Sequence, residues 1–105
     1  MIDTPDLLRS EHPGGVVCLT LNHAPVNALS ATGLMQFAQA IKALEADASV
    51  RAIVIASPFK VFSAGLNLKE AQGFDLSDQH AIVTGLNEGF LALFACKKPV
   101  VVAVN

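Results

Sequence analysis

Apolar and polar residues near the start of the chain predict two strands joined by a tight turn. Leu7 to Glu11 and Gly15 to Leu21 are short extended segments. The residues between them contain Pro13-Gly14, and a Pro-Gly step is typical of a turn. The second segment is apolar at almost every position, so its strand is expected to lie centrally in a sheet.

The next stretch has a helical period of apolar residues. Ser30 is a suitable N-cap, and the pattern runs to about Ala46. The apolar positions that share one face are Leu34, Phe37, Ile41 and Leu44. A short apolar strand, Ala52 to Ala56, follows. A helix that leads into a buried strand is typical of a crossover in an α/β sheet.

The last third of the chain predicts another helix and a final strand. The helix begins near Ser77 and runs for about five turns. Its predicted apolar face consists of Ile82, Leu86, Phe90 and Leu93. Gly85 and Gly89 interrupt the helix, and close packing of another segment is one explanation for them. Pro99 to Val104 is predicted to be a buried strand.

Composition narrows the class of protein. The length of 105 residues suits one domain, and an apolar content of 52% excludes disorder. Only 15% of residues are charged, against about 25% in a typical domain. This predicts a large apolar face that meets a partner or an absent part of the domain. The net charge of −2, without a basic stripe, disfavours nucleic acid as a ligand.

The sequence shows no sign of secretion, membrane insertion or a disulfide framework. Asp3, Asp6 and Glu11 stand where a signal peptide needs a basic and then an apolar segment. No apolar run approaches the roughly 18 residues that span a bilayer. Cys18 and Cys96 lie far apart, outside any CxxC motif. We expect a soluble, intracellular protein.

The most informative stretch is the small-residue loop within Val61 to Glu70, followed by a segment of helical composition, Leu66 to Gln72. The first N–H groups of a helix lack internal partners and suit an anion or a carbonyl oxygen. Ala64 and Gly65 would let a ligand approach the backbone. The alternative is an ordinary capped helix start, with the cap supplied by Asn67 or Ser63.

A hydrolase triad and a metal site are weaker interpretations. Ser63 with His23 or His80 and with Asp75 contains the residue types of a triad, but the GxSxG elbow is missing. The three histidines are too scattered along the chain to suggest a metal site.

Residues 61–70, VFSAGLNLKE, closely resemble the AGxDLxE loop of the crotonase superfamily, the enoyl-CoA hydratases and isomerases. Three further segments match that family in the expected order: GVVCLTLN at 15–22, PVNALS at 25–30 and KPVVVAVN at 98–105. The resemblance implies a crotonase-like α/β spiral of ββα units. It also implies that residues 1–105 are the N-terminal part of an acyl-CoA-binding domain, truncated after its first portion.

The resemblance also implies roles for individual residues. In the family, two backbone N–H groups hold the thioester carbonyl of an acyl-CoA, and the first matches Leu66, after the loop glycine. The acyl-CoA site would be lined by Ala64, Gly65, Leu66, Asn67, Leu68 and Lys69. Val26 and Ala28 match the segment beside the pantetheine arm. No metal or separate cofactor is implied, since coenzyme A is part of the substrate.

Two departures from the family pattern bear on the reaction. Asn67 replaces the usual Asp but can still cap a helix. Leu66 replaces the Ala common in hydratases and is similar to the Δ3,Δ2-enoyl-CoA isomerases, so both reactions stay open. In relatives the second oxyanion donor and the acid and base follow the position of Asn105. Glu70 and Glu88 match no catalytic position, and we expect the 105 residues alone to be inactive.

Two hypotheses follow from this resemblance. In the first, these residues belong to an enoyl-CoA hydratase or isomerase of fatty acyl-CoA thioesters, and contribute CoA binding and one oxyanion donor. In the second, they form a noncatalytic acyl-CoA binder or an interaction module on the same fold. The family resemblance further implies that the intact protein is a homo-oligomer, a trimer or a hexamer. It also implies a cytoplasmic location in a bacterium, or the mitochondrial matrix or peroxisome in a eukaryote.

Overall fold

The computed structural model describes residues 6–105 and confirms the predicted α/β class. The part of the acidic start that contains Asp3 lies outside these residues. The strands are β1 (Leu7–His12), β2 (Val16–Leu21), β3 (Ala28–Leu29), β4 (Ala52–Ala56), β5 (Gly65–Leu66) and β6 (Val100–Val102). The helices are α1 (Ala31–Ala46), α2 (Leu68–Ala71) and α3 (Leu76–Ala95).

Four strands form the main sheet in the order β1-β2-β4-β6. The predicted hairpin is confirmed, because β1 and β2 pair in antiparallel fashion. Strand β4 pairs with β2 in parallel, and α1 is the crossover between them. The predicted central place of β2 is therefore also confirmed. Strands β3 and β5 form a second, two-stranded parallel sheet.

The core lies between α1 and one face of the main sheet. Leu19 of β2 and Ile53 of β4 have no exposed surface, and Ile41 and Leu44 of α1 belong to the same buried cluster. Ser30 caps α1 as predicted, since its Oγ accepts the Gly33 N–H at 3.1 Å. The helical period in the sequence is thus confirmed as a core-facing stripe.

Helix α3 begins with a capping box. Asp75 Oδ1 accepts the Asp78 N–H at 2.8 Å, and Asp78 Oδ2 accepts the Asp75 N–H at 3.1 Å. Two orphan N–H groups at the helix start are thereby satisfied. The predicted start near Ser77 differs by one residue, because α3 begins at Leu76.

The predicted apolar face of α3 is confirmed in part, because Ile82 is buried and Leu93 packs against the core. The other buried residues of α3 are Gly85, Gly89 and Ala92, whereas Phe90 is 60% exposed. The reason is the close approach of α1 and α3, since a Cβ on Gly85 would lie 3.1 Å from the Leu34 Cβ. Close packing is therefore confirmed as the explanation for this glycine.

The prediction of a buried final strand is also wrong. Strand β6 pairs with β4 on one side and is the last strand in the order of the main sheet. Val101 is 59% exposed and Val102 is 44% exposed. An apolar run indicates burial only where neighbouring elements cover both faces, and the described residues leave these two side chains uncovered.

Candidate active site

Two segments that are far apart in the sequence lie side by side in the small sheet. Ala28 pairs with Gly65, and the Ala64 N–H donates to the Val26 carbonyl at 2.9 Å. The register also places Leu66 of β5 opposite Leu29 of β3. The pairing therefore brings the predicted residues of the 25–30 segment next to those of the 61–70 segment.

Gly65 has a backbone that favours glycine. Its φ is +82°, in the left-handed region that side chains disfavour, and a Cβ built on it would have no neighbour within 4 Å. The space beside Gly65 is thus open to another molecule. Its own N–H is used internally, because it donates to the Ser63 Oγ at 3.1 Å.

The predicted helix over Leu66 to Gln72 is shorter than expected. Leu66 lies in β5, because pairing with β3 keeps the backbone extended there, and α2 covers only Leu68–Ala71. Asn67 is the N-cap of α2, and its Oδ1 accepts the Glu70 N–H at 3.1 Å. The prediction that Asn67 preserves the helix start is confirmed. The helix-terminus argument for Leu66 is wrong, since this residue precedes the cap.

The other predicted loop residues differ in exposure. Ala64, Asn67 and Lys69 are exposed, and Leu68 is 74% exposed. Val26, Ala28, Gly65 and Leu66 are half-buried. The structure thus gathers the four half-buried residues around the small sheet and leaves the start of α2 in contact with solvent.

A cavity of about 420 Å³ borders the small sheet. Of the predicted site residues, Ala28 and Gly65 line it. Its apolar wall comes mainly from α1, α3 and the main sheet, and includes Phe37, Phe90 and Leu93. An apolar cavity beside exposed backbone suits a ligand that carries a polar carbonyl on an apolar chain.

Asn27 is a central residue of the site, whereas its sequence context indicates only a turn residue. It is 2% exposed, lines the cavity and has a φ of +51°. Its Oδ1 accepts the His23 N–H at 2.7 Å, while its Nδ2 donates to Ser57 Oγ and to the Phe62 carbonyl, both at 2.9 Å. The sequence gives only a weak signal for this role, because Asn at a turn indicates no more than tolerance of a positive φ.

The residues of the alternative hydrolase triad have other roles in the structure. Ser63 Oγ donates to the Asn27 carbonyl at 2.8 Å. His23 Nδ1 lies 3.1 Å from Asp6 Oδ1, and both of these side chains are about half exposed. Asp75 caps α3, and His80 lies in the same helix. No Ser–His–Asp arrangement is formed by these four residues.

Glu70 and Glu88 do not line the cavity, whereas Asp6 and His23 do. Glu70 is exposed on α2, and Glu88 forms an ion pair with Lys42 at 3.2 Å. Hydrogen bonds from Ser49 lower the pKa of Asp47, which lies at the end of α1. Within residues 6–105, no three His, Cys, Asp or Glu side chains group as metal ligands. The helices of that range are also too short or too polar to cross a membrane.

Residues 11–105 match a protein family described as enoyl-CoA hydratase/isomerase. A probable enoyl-CoA hydratase of Rhizobium meliloti is 36% identical over 101 residues, covering 95% of this chain and 38% of that protein. Enoyl-CoA delta isomerase 1, mitochondrial, of Mus musculus is 33% identical over 100 residues, covering 94% of this chain and 35% of the isomerase. The chain therefore spans less than two fifths of the length of these relatives.

Solved structures show the same arrangement of elements. An enoyl-CoA hydratase from Mycobacterium smegmatis matches with a TM-score of 0.86 and 35% identity, over 96% of this chain and 40% of that one. DspI from Pseudomonas aeruginosa matches with a TM-score of 0.89 and 29% identity, over 98% of this chain and 39% of that one. The fold described above is thus shared with both proteins.

Proposed function

The chain belongs to the enoyl-CoA hydratase/isomerase family of the crotonase superfamily, and on this basis we propose that it acts on fatty acyl-CoA thioesters through an enolate. The pairing of β3 with β5 carries the proposal, because it sets Ala28 beside Gly65 at the edge of an apolar cavity. The open space at Gly65 gives a thioester access to the backbone, and the cavity suits its apolar chain.

In the proposed chemistry, the backbone N–H of Leu66 is one donor to the thioester oxygen. Hydration of a 2-enoyl thioester and migration of its double bond both pass through an enolate, whose oxygen carries negative charge. A fixed donor aimed at that oxygen is worth ~3 kcal/mol, or ~100-fold in rate. Because a thioester carbonyl carries less charge than the enolate, the donor favours the intermediate over the bound substrate.

We further propose that the 105 residues bind acyl-CoA but do not turn it over. Glu70 and Glu88 do not line the cavity, and the Asp6 carboxylate, which does, is paired with His23 at 3.1 Å. Without a positioned acid or base, a site forfeits the ~10²- to 10⁴-fold rate gain of proton transfer. A noncatalytic acyl-CoA binder is the second candidate, and the absence of both glutamates from the cavity is the observation in its favour.

Two thioesters separate enolate stabilisation from simple binding. Acetoacetyl-CoA ionises to an enolate, which ultraviolet absorbance detects, whereas butyryl-CoA keeps a neutral carbonyl. We expect the purified protein to bind both and to raise the enolate fraction of acetoacetyl-CoA at constant pH. Leu66→Pro removes the proposed donor, and we expect it to weaken enolate binding by ~100-fold and butyryl-CoA binding by much less.

Two control variants exclude other effects of this substitution. Leu66→Ala retains the N–H and changes the side chain, while Leu29→Pro disturbs the same ladder at its opposite position. If either control lowers the enolate fraction as much as Leu66→Pro, the donor role is wrong. If neither thioester binds the unaltered protein, the acyl-CoA assignment is wrong. Turnover of crotonyl-CoA or of a 3-enoyl-CoA by the 105 residues would contradict the proposed inactivity and would identify the reaction.

A further inference from the structure

The side chain of Asn27 is fully used in holding protein segments together. Its amide oxygen binds the His23 N–H at 2.7 Å, and its amide nitrogen binds the Ser57 hydroxyl and the Phe62 carbonyl. An Asn amide has two N–H donors, so both are occupied. Since the side chain is also 2% exposed, it has no donor left for a ligand, and its effect on a ligand must be indirect.

The same residue is connected to the proposed ligand site through a short series of hydrogen bonds. The Asn27 carbonyl accepts the Ser63 hydroxyl at 2.8 Å, and the Ser63 Oγ accepts the Gly65 N–H at 3.1 Å. One residue away, the Val26 carbonyl accepts the Ala64 N–H at 2.9 Å. Phe62, Ser63 and Ala64 are thus hydrogen-bonded directly to residues 26–27, and Gly65 is connected to them through the Ser63 side chain.

This attachment matters because the small sheet contains only two residue pairs. A two-residue ladder has little stability of its own, and loops with few apolar contacts open at low free-energy cost. Buried, fully satisfied hydrogen bonds to one amide restrict such opening, because each broken bond leaves a buried polar group without a partner.

We propose that Asn27 is a positioning residue that fixes the backbone of residues 62–66 for the thioester. The proposal rests on the proposed function, since it assigns that backbone as the ligand-binding element. Asn27 acts through this backbone and does not itself contact the substrate. Its φ of +51° also favours Asn over most other residues at this place, so the turn and the side-chain contacts require the same residue.

Asn27→Gly tests the role, because glycine accepts the positive φ and deletes only the amide. We expect the amide hydrogen of Ala64 to exchange with solvent at least 10-fold faster in ligand-free Asn27→Gly. We also expect the Kd for butyryl-CoA, measured by calorimetry, to rise at least 10-fold. Leu44→Ala, in the core and away from the cavity, is the control for a general loss of stability.

Ser57→Ala is a milder variant in case Asn27→Gly does not fold. It removes one acceptor of the Asn27 amide, and we expect smaller changes of the same sign, with Ser57→Thr restoring both readouts. Unchanged Ala64 exchange in either folded variant would overturn the proposal. A Kd that rises equally in Leu44→Ala would also overturn it. If the unaltered protein does not bind butyryl-CoA, the proposed function fails, and the exchange data alone decide whether Asn27 fixes the loop.

Discussion

Gly65 and Gly14 form a matched pair of residues that separates backbone strain from ligand access. Both have a φ of +82°, and a Cβ on either would have no neighbour within 4 Å. Gly65 lines the cavity, and Gly14 lies in the turn between β1 and β2. We expect Gly65→Ala and Gly14→Ala to lower the free energy of unfolding by a similar amount, about 1–2 kcal/mol each, since both place a Cβ in the left-handed region.

Binding of butyryl-CoA should distinguish the two glycine variants. We expect Gly65→Ala to raise the Kd by about 10-fold or more, corresponding to about 1.4 kcal/mol. Gly14→Ala should leave the Kd unchanged. Calorimetric titration and urea unfolding measure the two quantities on the same samples. An equal loss of affinity in both variants would mean that Gly65 acts only through stability.

At the residue scale, the sequence predicts those contacts of the site whose two partners are close together along the chain. Asn67 illustrates this, because a cap acts on the Glu70 N–H, three residues away. Asn27 illustrates the opposite case. Its amide partners at Ser57 and Phe62 are 30 and 35 residues away, so no local pattern could distinguish it from an ordinary turn residue.

At the scale of elements, Gly85 and Gly89 occupy similar positions on α3 but meet α1 differently. A Cβ on Gly85 would lie 3.1 Å from the Leu34 Cβ and 3.2 Å from the Ala31 carbonyl oxygen. A Cβ on Gly89 would make ordinary contacts, the nearest at 3.5 Å. Either substitution gains up to about 1 kcal/mol in helix propensity, whereas overpacking costs about 1–3 kcal/mol.

We therefore predict opposite signs for the two alanine variants. Gly85→Ala should lower the free energy of unfolding by about 1 kcal/mol, because α1 must move away from α3. Gly89→Ala should raise it by up to about 1 kcal/mol. Urea unfolding of both variants is the measurement. A gain in stability for Gly85→Ala would show that the helices separate at little cost.

The exposure of Phe90 on the predicted face of α3 has the same origin. Large apolar residues dominate the hydrophobic period of a sequence, so the period indicates the face that contains Phe90. Helices that pack closely bury small residues instead, and Gly85 and Ala92 are buried while Phe90 is exposed. Helix existence and approximate length follow from spacing and caps, but the buried side depends on what the helix packs against.

At the scale of the whole molecule, the low charge content predicted an uncovered apolar face, and the structure locates one. The outer face of α3 exposes Val83, Leu91 and Phe94, the last at 91%. The edge strand β6 exposes Val101 and Val102 nearby in the chain. Large exposed apolar patches and unpaired strand edges both favour association between chains.

We predict that the purified chain self-associates through this outer face of α3. Sedimentation velocity should show a mean mass that rises with concentration in the micromolar range. Phe94→Lys places a charge at the most exposed aromatic position and should shift the distribution towards monomer. Leu8→Lys is the control, because Leu8 is also exposed, at 42%, but lies on β1. Hydrophobic association scales with the apolar area removed from water, so a charge on the associating face should weaken it more than a charge elsewhere. A monomer at all concentrations, or an equal effect of Leu8→Lys, would therefore contradict association through α3.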